Sequence, residues 1–210
     1  MMKLFTAPGS CSIGIRVILE ETGADYEAQP LNFAEKEQFG TAYRSVNPKG
    51  KVPALLRPDG SLLTEFQTIA FWLADAYPDA ALLPKDADAR LRVMELLDFM
   101  IASVHMRGFT FVIVPAKFST NETTQADLVA HGKAQIEIGF AHLSEVLGEK
   151  EWLAGDYSIA DAALFYLTRW AVAKDLPMPA SLASHHNRML ARPAVARALA
   201  GDGMPAQKAG

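Results

Sequence analysis

The sequence has one cysteine among its 210 residues. No disulfide can form within the chain, so the thiol of Cys11 can react only with partners from outside. A lone cysteine fits a reducing compartment and points to the cytoplasm. The net charge is −4, with no long run of one sign. The basic stripe of a nucleic-acid surface is missing, so no nucleic-acid partner is expected. No uninterrupted apolar run reaches the roughly 18 residues of a membrane helix, and no membrane role is expected. The N-terminus enters a strand pattern without the basic region and apolar block of a signal peptide. No H-x-x-x-H pattern or Cys/His cluster is present, so no metal is expected. Internal repeats and low-complexity segments are also missing.

What remains is a chain that is half apolar, with ample material for a core. Its grammar changes near Pro84. Before that point the elements are short and mixed. Lys3–Ala7 reads as a strand, and Ser12–Gly23 as a helix ended by glycine. Asp25–Phe33 reads as an edge strand, because Pro30 cannot donate to a ladder. Lys51–Glu65 holds two short strands around a Pro-Asp-Gly turn. Phe66–Pro78 is apolar on a helical period. After residue 87 the pattern is helical: Ala87–Phe111, Gln125–Glu149, the strongly apolar Ser158–Leu176, and Ala180–Gly201. The tail 202–210 is small and polar and reads as loose. The expected organisation is an α/β domain over 1–80 and an all-helical domain over 87–201.

Cys11 lies in the turn APGSCS between the first strand and the first helix. Unpaired N–H groups and the dipole of a helix start favour a thiolate, so a lowered pKa is expected here. The alternative is a small buried apolar side chain. A strand–Cys–helix unit is the setting of redox thiols, yet those carry C-x-x-C, and here the third residue on is Gly14. A reactive Cys11 would need an external thiol, with glutathione the cytoplasmic candidate. In NPKGKVPALL, Val52-Pro53 at a strand head is explained by a cis bond, which would leave the Val52 backbone for an extended peptide ligand. Thr64-Glu65-Phe66 stands at a helix start, which takes carboxylates readily. A plain cap by Thr64 is the simpler alternative.

These pieces (KLFTAPGSCS, NPKGKVPALL, DGSLLTE and IADAALF, in order from Lys3 to about Leu199) resemble the cytosolic glutathione transferases, most closely the bacterial beta class. The resemblance implies a thioredoxin-like N-terminal domain followed by an all-helical domain. It implies an enzyme that uses glutathione as co-substrate against a small hydrophobic electrophile, in a homodimer with an interface around Ala89–Leu97. By position it implies that Cys11 meets the glutathione sulfur, with His105 facing it. It assigns Lys36 to the glycine carboxylate, Val52 and Pro53 to the cysteinyl backbone, and Glu65 with the Phe66 N–H to the γ-glutamyl end. Ser10 and Lys51 are counted with the glutathione-binding residues. Asp98 stands where the class has asparagine, and would pair with the glutathione ammonium. Helical spacing puts Asp98, Ala102 and His105 on one face. Ser158 and Asp161 match a capping box, and Trp170 a core tryptophan.

The chain departs from the family at two points. Phe66 replaces a small residue, so a hydroxyl contact is lost and the pocket could be reshaped. MRGF after His105 replaces KGF, one residue longer, which could shift His105. The remaining histidines, His131, His142, His185 and His186, read as surface. Phe109, Phe111, Val112 and the Pro8–Ser12 loop are candidates for the electrophile cleft. Three functions follow: conjugation by a glutathione thiolate; thiol–disulfide exchange through a Cys11 mixed disulfide; and a non-catalytic carrier of apolar ligands, which Phe66 favours.

Overall fold

A computed structural model describes all residues, Met1–Gly210. The chain forms two compact units. The first comprises Met1–Leu83 and Leu190–Ala206; the second comprises Pro84–Met189 and Gln207–Gly210. The helical run expected over 87–201 is therefore divided. Arg192-Pro193 breaks it, and the helix Pro193–Gly201 belongs to the first unit.

The first unit is built on a four-stranded sheet of order β2-β1-β3-β4. Strand β1 (Met2–Thr6) runs parallel to β2 (Tyr26–Pro30) and antiparallel to β3 (Ala54–Leu56), which pairs with β4 (Leu62–Thr64). Central β1 is buried at every position but Lys3, and Leu4 and Leu55 are fully buried. Helix α1 (Ser12–Thr22) buries Ile15, Val17, Ile18 and Leu19, and ends at Gly23 in the left-handed region. A short helix α2 (Thr41–Arg44) contributes Tyr43 to a cluster with Phe5, Leu31 and Ala54. One turn is too short to leave a periodic signal, and the sequence reading passed over it. Helix α3 (Phe66–Ala76) follows β4 directly. The last helix of the chain packs on α1. Arg16 Nη1 meets Asp202 Oδ1 at 3.0 Å with both side chains largely buried, and Arg192 and Arg197 pair with Glu21 and Glu20.

The second unit is helical. Asp86 caps α4 (Ala87–Phe99) by accepting the Ala89 N–H. The helix continues as a ten-residue π-helix, Met100–Phe109, and closes as α5 (Thr110–Ile113). Helices α6 (Glu122–Leu147), α7 (Ile159–Ala173) and α8 (Ala180–Leu190) complete the unit, and α9 is the Pro193–Gly201 helix already described. The π-helix accounts for the extra residue in MRGF. A wider turn, with the Thr110 N–H reaching back to the His105 carbonyl, absorbs one more residue without ending the helix. It also changes the helical phase, so the α-helical spacing that put Asp98 and His105 on one face does not hold. The run Ala87–Ile113 is long and apolar enough to cross a membrane by length and composition, although the sequence holds no uninterrupted apolar stretch of that length. In this fold it is a packed helix, with Met100, Val104 and Phe109 fully buried.

Helix α7 is buried on almost every side, as its composition predicts. Its capping box is present: Asp161 Oδ2 accepts from the Ser158 N–H at 2.9 Å, and Ser158 Oγ caps the first turn. Two of the histidines read as surface are core residues. His185 Nε2 meets Asp161 Oδ1 at 3.0 Å with neither side chain exposed. His186 lies between Thr168 Oγ1 and the Gln207 carbonyl, 2.8 Å from each. Burial holds the His186 pKa below its ordinary value. These bonds also correct the expectation of a loose tail. His186 and Asn187 hold Gln207 and Ala209 by backbone contacts.

Helix α6 approaches the π-helix closely at Gly139, where an added Cβ would lie 2.5 Å from Val104 Cγ2. Gly139→Ala tests this packing. Alanine is the better helix former by about 1 kcal/mol, so a loss of about 1–3 kcal/mol by urea unfolding isolates the steric cost. An unchanged or raised stability would contradict the contact.

Candidate functional site

The first unit gathers most of the expected site residues around the start of α1. The turn before the helix is fixed by a chain of hydroxyls. Ser12 Oγ, fully buried, lies within hydrogen-bond distance of Thr6 Oγ1 and at 2.6 Å from Ser10 Oγ. The Ser12 and Ile13 N–H groups are taken by Ser10 Oγ and the Ser10 carbonyl. Cys11 is the N-cap position, in right-handed conformation, and makes no side-chain capping bond. Its Sγ is 3.7 Å from the Val52 carbonyl, to which the S–H donates.

This arrangement overturns the expectation of a lowered thiol pKa. Desolvation by burial pushes the Cys11 thiol up to about 12. The Cys11 N–H and the nearby Lys51 favour the thiolate, while Glu65 opposes it, and burial outweighs them all. The first amides of the helix are turned to Ser10 and not to the sulfur. The partly exposed Cys11 side chain is placed as a hydrogen-bond donor to the Val52 carbonyl.

The Val52–Pro53 bond is cis, as the sequence reading expected. The segment is anchored one residue earlier, where the Lys51 carbonyl accepts from Tyr43 Oη at 2.6 Å and Asn47 Nδ2 at 2.8 Å. The Val52 N–H donates to no acceptor within the chain. At the end of β4, Glu65 stands at φ 69°, ψ 129°, a conformation rarely adopted by a residue with a side chain. Glu65, and not Thr64, is the N-cap of α3, and its carboxylate makes no capping bond. It is held outward by Lys49, whose Nζ lies 2.5 Å from Glu65 Oε1 and donates to Thr64 Oγ1 at 2.8 Å. Phe66 is buried, so its ring enters the unit's interior and does not obstruct the turn. Lys36, exposed and left-handed, begins the 3₁₀ turn Glu37–Phe39. Beside it a cleft of about 460 Å³ opens at the carboxyl ends of parallel β1 and β2, lined by Ala7, Pro8, Leu31, Asn32, Phe33 and Glu37. Ligands of open α/β sheets bind outside such strand ends.

The second unit carries Asp98 and His105. His105 Nδ1 is 3.3 Å from Tyr166 Oη, and its ring meets Trp170 edge-on at 4.8 Å. Asp98 is exposed and forms no ion pair within the chain. Phe109, expected in a cleft, is fully buried against Phe140 and Trp170.

Residues 9–76 match the family model of the glutathione S-transferase N-terminal domain. The glutathione S-transferase GstA of Escherichia coli O157:H7 is 36% identical over 208 residues, 97% of this chain and 100% of that protein. The chain belongs to the glutathione S-transferase family. The maleylacetoacetate isomerase of Pseudomonas aeruginosa is 29% identical over 183 residues, covering 83% of this chain and 85% of that one. Among solved structures, a glutathione transferase homologue from Sulfitobacter with bound glutathione superposes with a TM-score of 0.88 at 26% identity, over 98% of this chain and 99% of that one. A beta-class transferase from Sphingomonas chungbukensis does so at 0.83 and 31%, over 97% and 100%. The transferase fold, a thioredoxin-like sheet unit followed by helices, is thus the fold of this chain.

Lys49, which the sequence reading did not single out, is the lysine of NPKGK that reaches Glu65. Lys51 is exposed and acts on Cys11 only through its charge.

The backbone at Glu65 gives a direct test. At ordinary positions glycine is less stable than alanine. At residue 65 the order reverses, and Glu65→Gly exceeds Glu65→Ala by about 1 kcal/mol in chemical denaturation, because only glycine takes this φ/ψ without strain. Alanine at or above glycine would contradict the strained turn.

Proposed function

We propose that the chain is a beta-class glutathione transferase that joins the glutathione thiolate to small hydrophobic electrophiles. The observation that carries this reading is the meeting, in one unit, of a Cys11 sulfur on the Val52 carbonyl, an unpaired Val52 N–H and a strained Glu65 at the start of α3. An extended γ-glutamyl peptide matches that set. Its cysteinyl backbone pairs with Val52 beside cis-Pro53. Its γ-glutamyl ammonium sits on Glu65, and the α-carboxylate on the first amides of α3 at Phe66. Its glycine carboxylate goes to Lys36. The glutathione sulfur then lies at the α1 turn, where Ser10 Oγ–H and Cys11 S–H donate to it. Two hydrogen-bond donors favour the bound thiolate. The proton leaves to solvent, the thiolate sulfur bonds to the electrophilic carbon, and the leaving group departs with its electron pair. Orientation supplies much of the acceleration.

In this reading Cys11 assists and does not react. A thiol with its pKa near 12 is a poor nucleophile at neutral pH, which counts against the mixed-disulfide route. A glutathione-dependent isomerase is the second reading, supported by the Pseudomonas relative. The same bound thiolate would add to a double bond and leave again. The free thiol fits a cytoplasmic enzyme. Exposed Leu91 and Met94 on α4 fit the homodimer interface expected around Ala89–Leu97.

The test combines turnover and intact mass. With glutathione and an activated aryl chloride the protein turns over steadily. Cys11→Ala retains kcat/KM to within about tenfold, since a neutral thiol is a weak donor. Exposure to oxidised glutathione at neutral pH adds no mass. A stable glutathione adduct with turnover only on disulfides would establish the exchange reaction instead. Turnover only on maleylacetoacetate would select the isomerase. No turnover and no retention on glutathione resin would leave a carrier.

A further inference from the structure

Lys49 is held in place with more care than an exposed lysine requires. Its N–H donates to Asn47 Oδ1 at 3.1 Å, and Asn47 is itself buried, with Nδ2 on the Lys51 carbonyl. Gly50, at φ 61°, follows; a Cβ there would lie 2.8 Å from the Gln38 carbonyl, so the turn is fixed on both sides of the lysine. From this base Lys49 Nζ reaches both Glu65 Oε1 and Thr64 Oγ1. The Glu65 carboxylate has no other hydrogen-bond or ion-pair partner in the chain. An ammonium from a rigid turn therefore occupies the carboxylate whose strained backbone aims it outward.

We propose that Lys49 is a place-holding cation for the α-amino group of the γ-glutamyl head. In the free protein it neutralises Glu65. When an α-amino acid head arrives, its ammonium takes Glu65 and Lys49 withdraws, remaining close enough to offset the ligand's own α-carboxylate. The role rests on the glutathione reading above and refines it. It makes Lys49 a specificity-determining residue that sets how strictly the site demands a zwitterion. A ligand without the amino group leaves Lys49 on Glu65, so the carboxylates of protein and ligand are never left facing each other uncompensated.

The experiment is a cycle of calorimetric titrations on the full chain. Glutathione and its des-amino analogue, with hydrogen in place of the α-amino group, are each bound to the wild type, Lys49→Met and Lys49→Arg at low ionic strength. The expected result is a larger affinity penalty for the missing amino group in Lys49→Met. The excess over wild type is about two- to fivefold, the size of an exposed ion pair. Lys49→Arg restores the wild-type penalty. Equal penalties in all three proteins, or a smaller one in Lys49→Met, would overturn the role of Lys49 while leaving glutathione binding intact. Failure of the wild type to bind glutathione would overturn both.

Discussion

Desolvation of the Cys11 thiol sets the chemistry open to this site. The sulfur stands at the first turn of α1, where a helix start ordinarily draws out a thiolate. Here the first amides are spent on Ser10, and the S–H faces the Val52 carbonyl. Burial outweighs the nearby Lys51 and pushes the thiol pKa up. In the proposed function such a thiol would be a donor to another molecule's sulfur. The Thr6–Ser12–Ser10 hydroxyl chain serves the same end by fixing a second donor beside it.

The remaining parts of the unit supply what an extended peptide needs. The Asn47–Pro53 segment gives a backbone edge, held by Asn47 and Tyr43 through the Lys51 carbonyl. The turn at Glu65 presents a carboxylate outward at a cost in backbone strain. Lys49 and Glu65 tie these two segments together in the free protein. The helix α9, from the far end of the sequence, braces α1 through Arg16 and Asp202. The turn at Cys11 is thus supported from both ends of the chain.

Much of this was legible in the sequence, for physical reasons. Strands, the glycine stop of α1, the cis Val52–Pro53 bond and the Ser158–Asp161 capping box depend on local chemistry, which spacing and residue type reveal. The failures share a different cause. The Cys11 pKa, the burial of His185 and His186, the docking of the tail and the pairing of Lys49 with Glu65 are set by contacts between residues distant in the chain. The extra residue after His105 was visible, yet its accommodation as a π-helix was not, because an insertion can equally lengthen a loop. Phe66, which breaks the family pattern, is a core side chain, and only the fold shows that its ring turns inward.

The protonation of Cys11 is the point on which this account stands, and a lone cysteine makes it directly measurable. Protein labelled with ¹³C at the cysteine β-carbon gives a single resonance, whose shift separates thiol from thiolate. The account requires the thiol shift throughout the neutral range, with no titration step until strongly alkaline pH. A thiolate shift at pH 7, or a midpoint near the ordinary value of about 8.5, would contradict it and return Cys11 to the role of nucleophile.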